Sequence, residues 1–210
     1  SSGNYLINGI SVEKLSDNSL ADIRNQFIGF VFQTFHLLPK LNAIGNVELP
    51  LIYRGVAKKD RQKAAEEALD MVGLSQRKSH FPSQMSGGEQ QRVAIARAIA
   101  GKPKILLADE PTGALDSKNR VKIMEIFSWL NQELGLTVIQ VTHDIEVSYY
   151  GDRVLHMTDG EIRKEEIVSD FERRGKNAPK PVLYEDEPAK VENTETQVQT
   201  ENEEKAGIQI

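Results

Sequence analysis

The chain has 210 residues, 39% of them hydrophobic and 27% charged, which suits one domain with a sizeable core and is short for two. A net charge of −5 and a pI near 5.5 argue against a dedicated nucleic-acid binder. The absence of cysteine excludes disulfide scaffolds, zinc–thiolate sites and cysteine nucleophiles. No apolar run approaches the roughly 18 residues a membrane span needs. The first residue is Ser, not Met, and the start is polar, so no secretory signal is read and a cytosolic protein or domain is expected.

In chain order, Tyr5-Leu6-Ile7, Asn8-Gly9 and Ile10-Ser11-Val12 read as a hairpin with a type I′ turn. A short helix is predicted over 19–25 and a buried strand over 27–32 (FIGFVF). Residues 58–72 put Ala64, Ala65, Ala68, Leu69 and Val72 on one helical face, with Gly73 as a C-terminal cap. A further helix opens near Ser86 and ends before Gly101 and Pro103. Residues 104–108 (KILLA) and 136–141 (LTVIQV) read as strands buried on both faces, with a helix over about 118–133 between them. Residues 153–157 and 161–164, joined by Asp159-Gly160, read as a closing hairpin. Alternating strands and helices with such apolar strands imply an α/β fold with a mainly parallel sheet.

Residues 176–210 differ. They hold eight acids against four lysines and few apolar residues, too few to offset the entropy of ordering. The reading is therefore one domain over 1–175 and a disordered acidic tail over 176–210.

Four segments carry candidate chemistry. Met85-Ser86-Gly87-Gly88-Glu89 opens a helix. Ser86 and Glu89 have capping-box spacing, and the two glycines bare backbone amides at a positive helix end, as a phosphate site requires. Ile105-Leu106-Leu107-Ala108-Asp109-Glu110-Pro111-Thr112 places two carboxylates at the carboxyl end of a strand, where α/β sheets bind ligands. One can hold Mg²⁺ and the other can orient or deprotonate a water. Val141-Thr142-His143-Asp144 ends a second strand on the same edge, and Phe32-Gln33-Thr34 ends a third. Taken singly, His143 and Gln33 are weak signals.

Together, in this order and spacing, the four segments resemble the nucleotide-binding subunit of ABC transporters, over about residues 4–165. Met85 to Glu89 is similar to the family's Leu-Ser-Gly-Gly-Gln motif, with Met and Glu in place of its first and last residues. Asp109 and Glu110 resemble the Walker B aspartate and the glutamate after it. Gly113-Ala114-Leu115-Asp116 resembles the D-loop, His143 the switch histidine and Gln33 the Q-loop glutamine. Asn46-Val47-Glu48-Leu49-Pro50-Leu51-Ile52-Tyr53 and Gly88-Glu89-Gln90-Gln91-Arg92 narrow the resemblance to macrolide and peptide exporters, lipoprotein-releasing systems and the cell-division ABC protein.

The resemblance implies a P-loop NTPase-like ABC ATPase core with a helical subdomain over about 35–85. It implies ATP and Mg²⁺ as cofactors, a head-to-tail homodimer, a transmembrane permease partner and a place on the cytoplasmic face of the cell membrane. Nucleic acid is not an expected partner. Ser86, Gly87, Gly88 and Glu89 would meet the ATP held by the partner subunit, and Asp116 would link the two sites. Asp109 and Gln33 would place Mg²⁺, Gln33 sensing the γ-phosphate. Glu110 would polarise the attacking water, and His143 would stabilise the transferring phosphoryl group. Phe35, His36, Leu37, Leu38 and Pro39 would either dock on the permease or pack into the chain's own core. Arg92 and Arg97 are assigned to salt bridges within the fold.

One departure is large. The family's Walker A loop, Gly-x-x-x-x-Gly-Lys-Ser/Thr, has no counterpart in the 210 residues. The only Gly-Lys pairs, Gly101-Lys102 and Gly175-Lys176, are followed by Pro103 and Asn177. The expectation is a chain truncated at its N terminus and inactive as it stands. A non-catalytic regulatory or scaffolding subunit is the alternative. A soluble ATPase of translation or DNA maintenance is disfavoured by the single short cassette.

Overall fold

The computed structural model describes residues 5–13, 15–169 and 172–181. Strands β1 (Leu6–Ile7) and β2 (Ile10–Ser11) pair antiparallel. Asn8 and Gly9 between them have φ of 48° and 77°, as a type I′ turn demands. Helix α1 (Asp17–Phe27) starts at Ser16, whose hydroxyl accepts from the Ser19 amide at 3.3 Å. Strand β3 (Ile28–Phe32) follows without a loop.

The next stretch is helical, as expected. It comprises α2 (Ala43–Tyr53), α3 (Lys58–Met71), 3₁₀ turns at Ser75–Arg77 and Pro82–Gln84, and α4 (Gly87–Ile99). Asn46, fully buried, holds the loop before α2 in place. Its Oδ1 accepts from the Leu38 amide at 2.7 Å, and its Nδ2 donates to the carbonyls of Leu38, Leu41 and Asn42 at 2.9–3.1 Å. Arg54, just past α2, donates from Nε to Asn25 Oδ1 at 3.1 Å and from a terminal nitrogen to the Gly101 carbonyl at 2.7 Å. It thereby ties the end of α2 to α1 and to the end of α4.

Strands β3, β4 (Ile105–Asp109) and β5 (Thr137–Val141) form a parallel sheet in that order, with α5 (Ser117–Leu134) crossing from β4 to β5. Gly29, Leu106, Val31 and Ala108 point to one face, and Val31 and Leu106 are fully buried there. Gly29 is needed for this packing: a Cβ on it would come within 2.5 Å of the Ala98 carbonyl oxygen on α4. Helix α5 supplies Ile123, Ile126, Phe127 and Leu130 to the same core and ends at Gly135, in the left-handed region at φ 62°.

The other face of the sheet is open. Strand β3 reads as buried and strands β4 and β5 as buried on both faces, and this expectation is corrected for β3 and β5. Phe30, Phe32, Ile139 and Val141 are exposed, the last at 61%. An unbroken apolar strand says that both faces are apolar; it does not say what covers them.

The chain then forms α6 (Ile145–Ser148) and the antiparallel hairpin of β6 (Arg153–Thr158) and β7 (Glu161–Ile167), turning at Asp159-Gly160. Residues 172–181 run back along the domain. Gln132 Nε2 donates to the Gly175 carbonyl at 3.2 Å, Ala178 packs against the core, Lys180 Nζ lies 3.4 Å from Asp70 Oδ2, and Pro181 is buried. The first six residues of the expected tail are thus held on the domain, and the remainder, 182–210, lies outside the described residues. Among the described residues no helix is long and apolar enough to cross a membrane.

Candidate nucleotide site

The parallel register sets the site. Phe32, Asp109 and Val141 pair side by side as the last row of the sheet. Gln33, Glu110 and Thr142-His143 therefore leave the same edge together, as strand-end placement in the sequence predicts.

Strand β4 ends at Asp109, and the backbone then bends sharply. Glu110 has a φ of 45°, a left-handed conformation costing roughly 1–2 kcal/mol for a residue with a Cβ. Its amide donates to the Val141 carbonyl at 3.0 Å, which holds the bend against β5. The bend turns the carboxylate towards His143: Glu110 Oε1 accepts from the His143 amide at 3.1 Å and lies 2.7 Å from His143 Nδ1. Asp109 is exposed at the strand end. Gln33 is also exposed, and its side chain lies over Gly113, where a Cβ would come within 2.8 Å of Nε2.

Ser86 caps α4. Its Oγ accepts from the Glu89 amide at 3.2 Å, and Glu89 Oε2 accepts from the Ser86 amide at 2.9 Å. The capping box is complete. The two glycines differ in their surroundings. A Cβ on Gly87 would make only ordinary contacts with Leu115 and Phe35, at 3.6 and 3.7 Å. A Cβ on Gly88 would strike Asn119 Oδ1 at 2.5 Å. Gly88 thus serves packing against α5, whatever it also does for a ligand. Asn119 belongs to the cap of α5: its amide donates to Asp116 Oδ1 at 2.9 Å and its Nδ2 to Oδ2 at 2.7 Å. These hydrogen bonds hold the Asp116 carboxyl below its usual range.

The loop from Glu110 to Asp116 joins the two clusters. Gly113 meets Gln33 at one end, and Leu115 meets Gly87 at the other. The arrangement offers carboxylates and an amide at the sheet edge, and helix-start amides with two glycines beside the loop. Mg²⁺ is the metal this donor set fits: it takes one or two carboxylates and fills its remaining positions with phosphate oxygens and water. Among the described residues no group of three or more His, Cys, Asp or Glu gathers as an all-protein cage.

Of the two arginines, Arg97 departs from expectation. Arg97 donates to the carbonyls of His36 and Phe35 at 2.6 and 2.9 Å instead of pairing with a carboxylate, and burial lowers its pKa. Arg92 is fully buried. Of the 35–39 segment, Phe35 and Leu37 pack against the core, as the core reading expects, while His36, Leu38 and Pro39 are exposed.

Sequence reasoning missed Gln91 and Asn119. Gln91 is fully buried, and its Nε2 donates to the carbonyls of Phe32 at 3.2 Å and Pro111 at 2.5 Å. It fastens α4 to the residues just before Gln33 and just after Glu110. Its helical spacing with Ala94 and Ile95 marks it as core-facing, and that signal was available in the sequence.

The profile described as "ABC transporter" matches residues 1–113. The chain belongs to the ABC transporter family. The ABC transporter ATP-binding protein YvrO of Bacillus subtilis is 53% identical over 161 residues, covering 77% of this chain and 70% of that protein. The macrolide export ATP-binding/permease protein MacB of Vibrio parahaemolyticus is 48% identical over 162 residues, covering 77% of this chain and 25% of that protein. Among solved structures, the dimeric post-hydrolysis state of the ATP-binding cassette MJ0796 of Methanocaldococcus jannaschii, bound to ADP and Pi, superposes with a TM-score of 0.71. It is 47% identical, covering 81% of this chain and 75% of that chain. The fold is that of the ABC ATPase cassette. This ABC protein is an ATP-binding, ATP-hydrolysing subunit that powers membrane transport.

Proposed function

We propose that this ABC subunit hydrolyses ATP between two copies arranged head to tail and drives a transmembrane permease of the exporter or lipoprotein-handling type. The observation that carries the reading is the Glu110–His143 contact of 2.7 Å, beside Asp109 at the sheet edge. Asp109 and Gln33 would hold Mg²⁺, which would supply charge neutralisation for the phosphates when bound. Glu110 orients the attacking water and takes its proton. His143, held by Glu110, donates towards the transferring phosphoryl group.

Ser86, Gly87 and Gly88 meet the ATP of the partner subunit with helix-start amides. Glu89 holds that turn, and Asp116 carries the state of one site to the other. The exposed residues His36, Leu38, Pro39 and Tyr53 of the helical subdomain face the permease. MacB joins an ATP-binding part and a permease in one protein, which supports a permease partner for this chain. Such a subunit works on the cytoplasmic side of the membrane.

The test is Glu110→Gln in the full-length protein. The amide keeps the reach of the side chain but cannot accept a proton, so phosphate release falls by roughly 10²–10⁴-fold. ATP then stays trapped and the dimer persists on size exclusion. Near wild-type hydrolysis would remove Glu110 from the reaction.

A further inference from the structure

Glu89 uses both carboxylate oxygens. Oε2 accepts from the Ser86 amide at 2.9 Å, and Oε1 receives Arg77 Nε at 2.9 Å. The Glu89 side chain is only 6% exposed, so its charge is balanced where little water reaches it. Arg77 ends the 3₁₀ turn Ser75–Arg77, twelve residues upstream and with no motif of its own.

Arg77 is itself fixed. Its Nη1 donates to His80 Nε2 at 3.1 Å. The carbonyls of Lys78 and His80 accept from the Ile44 and Ala43 amides at 3.1 and 2.8 Å, which satisfies first-turn donors of α2. Lys78 Nζ pairs with Glu66 of α3 at 3.1 Å. The guanidinium is therefore held by segment 77–80, which is anchored to α2 and α3, and it grips the carboxylate that fixes the turn at Ser86.

We infer that Arg77 is a positioning residue for the nucleotide contact made by Ser86 and its two glycines, acting through Glu89. The inference rests on the reading that this turn meets nucleotide. It follows from directionality: a carboxylate held on one oxygen alone can swing about its Cγ–Cδ bond, and the Ser86 amide would follow it. A misplacement on the order of 1 Å at a contact made in the transition state can cost about 10²-fold. A neutral amide at position 89 needs no counter-charge, so the demand for Arg77 is tied to the acid.

The experiment uses the full-length protein with four variants: Arg77→Ala, Glu89→Gln, the two combined, and Gly87→Ala. Fluorescent ADP titration reads the nucleotide affinity of one subunit, and ATP-dependent dimerisation and kcat read the contact across the dimer. Arg77→Ala should leave ADP affinity within about twofold while kcat and dimerisation fall about tenfold. Whatever Glu89→Gln costs by itself, Arg77→Ala added to it should cost under about twofold more, since the coupled charge is gone. The double variant buries no unpaired carboxylate, so it answers the question even if Arg77→Ala alone folds poorly. An equal tenfold loss in both backgrounds, or a parallel loss of ADP affinity, overturns the role of Arg77.

Gly87→Ala adds a methyl group that fits the fold but obstructs an approaching phosphate. If it abolishes dimerisation while Arg77→Ala has no effect, the inference about Arg77 fails alone. If neither variant matters, the reading of the turn fails with it.

Discussion

Asn119 occupies the space into which any side chain on Gly88 would project: an added Cβ would lie 2.5 Å from Asn119 Oδ1 and 3.2 Å from its Cβ. The start of α4 and the start of α5 thus interlock through a glycine and an amide, and Asn119 in turn grips Asp116. Gly88→Ala should destabilise the domain by about 1–3 kcal/mol through overpacking. Adding Asn119→Ala should recover part of that loss by opening the space. Urea denaturation of the single and double variants checks this, and strict additivity would show that the two sites do not share the strain.

Gln91 should be costly to replace. Gln91→Leu keeps approximate size but leaves the Phe32 and Pro111 carbonyls without this donor. The expected loss is about 1–3 kcal/mol. In the full-length protein kcat should fall with it, since Gln33 and Glu110 each sit one residue from those carbonyls. Thermal melts and phosphate release measured together test the pairing of the two effects.

Asp116 carries a pH dependence of defined sign. Its folded-state pKa is depressed by the hydrogen bonds from Asn119, so the charged carboxylate stabilises the native state above the ordinary value of 3.8. That contribution is lost as pH falls through the depressed value. Asp116→Asn still caps α5 but does not titrate. The difference in Tm between wild type and Asp116→Asn should be constant from neutral pH to about 4 and shift against wild type below it.

The segment 175–181 gives a further comparison. Truncation after residue 174 removes Ala178 from the core, Lys180 from Asp70 and the buried Pro181. It should lower Tm by several degrees, consistent with about 1 kcal/mol of lost packing. Truncation after residue 181 keeps all three and should leave Tm within about 2 °C. Differential scanning calorimetry of both chains decides between them.

The 210-residue chain contains no Gly-x-x-x-x-Gly-Lys-Ser/Thr loop. It therefore lacks the lysine and nested amides that cradle β- and γ-phosphates in this family. ATP affinity of these 210 residues alone should be weaker than micromolar by titration calorimetry, and micromolar binding would contradict this.

Much of the architecture was legible in the sequence because its signals are local. Asn8-Gly9 specifies a turn by its φ preference, and Ser86 with Glu89 specifies a helix start by its spacing. The strand-end positions of Gln33, Asp109, Glu110 and His143 followed from apolar runs that stop at polar residues. What stayed hidden depends on distant partners. Arg97 reaches backbone carbonyls about 60 residues away, which no charge pattern announces. The reason for Gly88 lies on another helix. The open face of the sheet was misread because hydrophobicity along β5 reports what the strand tolerates, not what stands opposite it.

That open face also has a colloidal consequence. Phe30 and Phe32 stack at 6.1 Å along one strand, and Phe30, Leu107 and Ile139 form an apolar row across all three strands, while the Asp109 carboxylate stands between Phe32 and Val141. Contiguous apolar surface of this kind drives association once it exceeds a few hundred Å². A preparation of these 210 residues alone should bind hydrophobic dyes and self-associate as its concentration rises, and charged substitutions at Ile139 and Val141 should make it better behaved in solution without disturbing the opposite, packed side of the sheet.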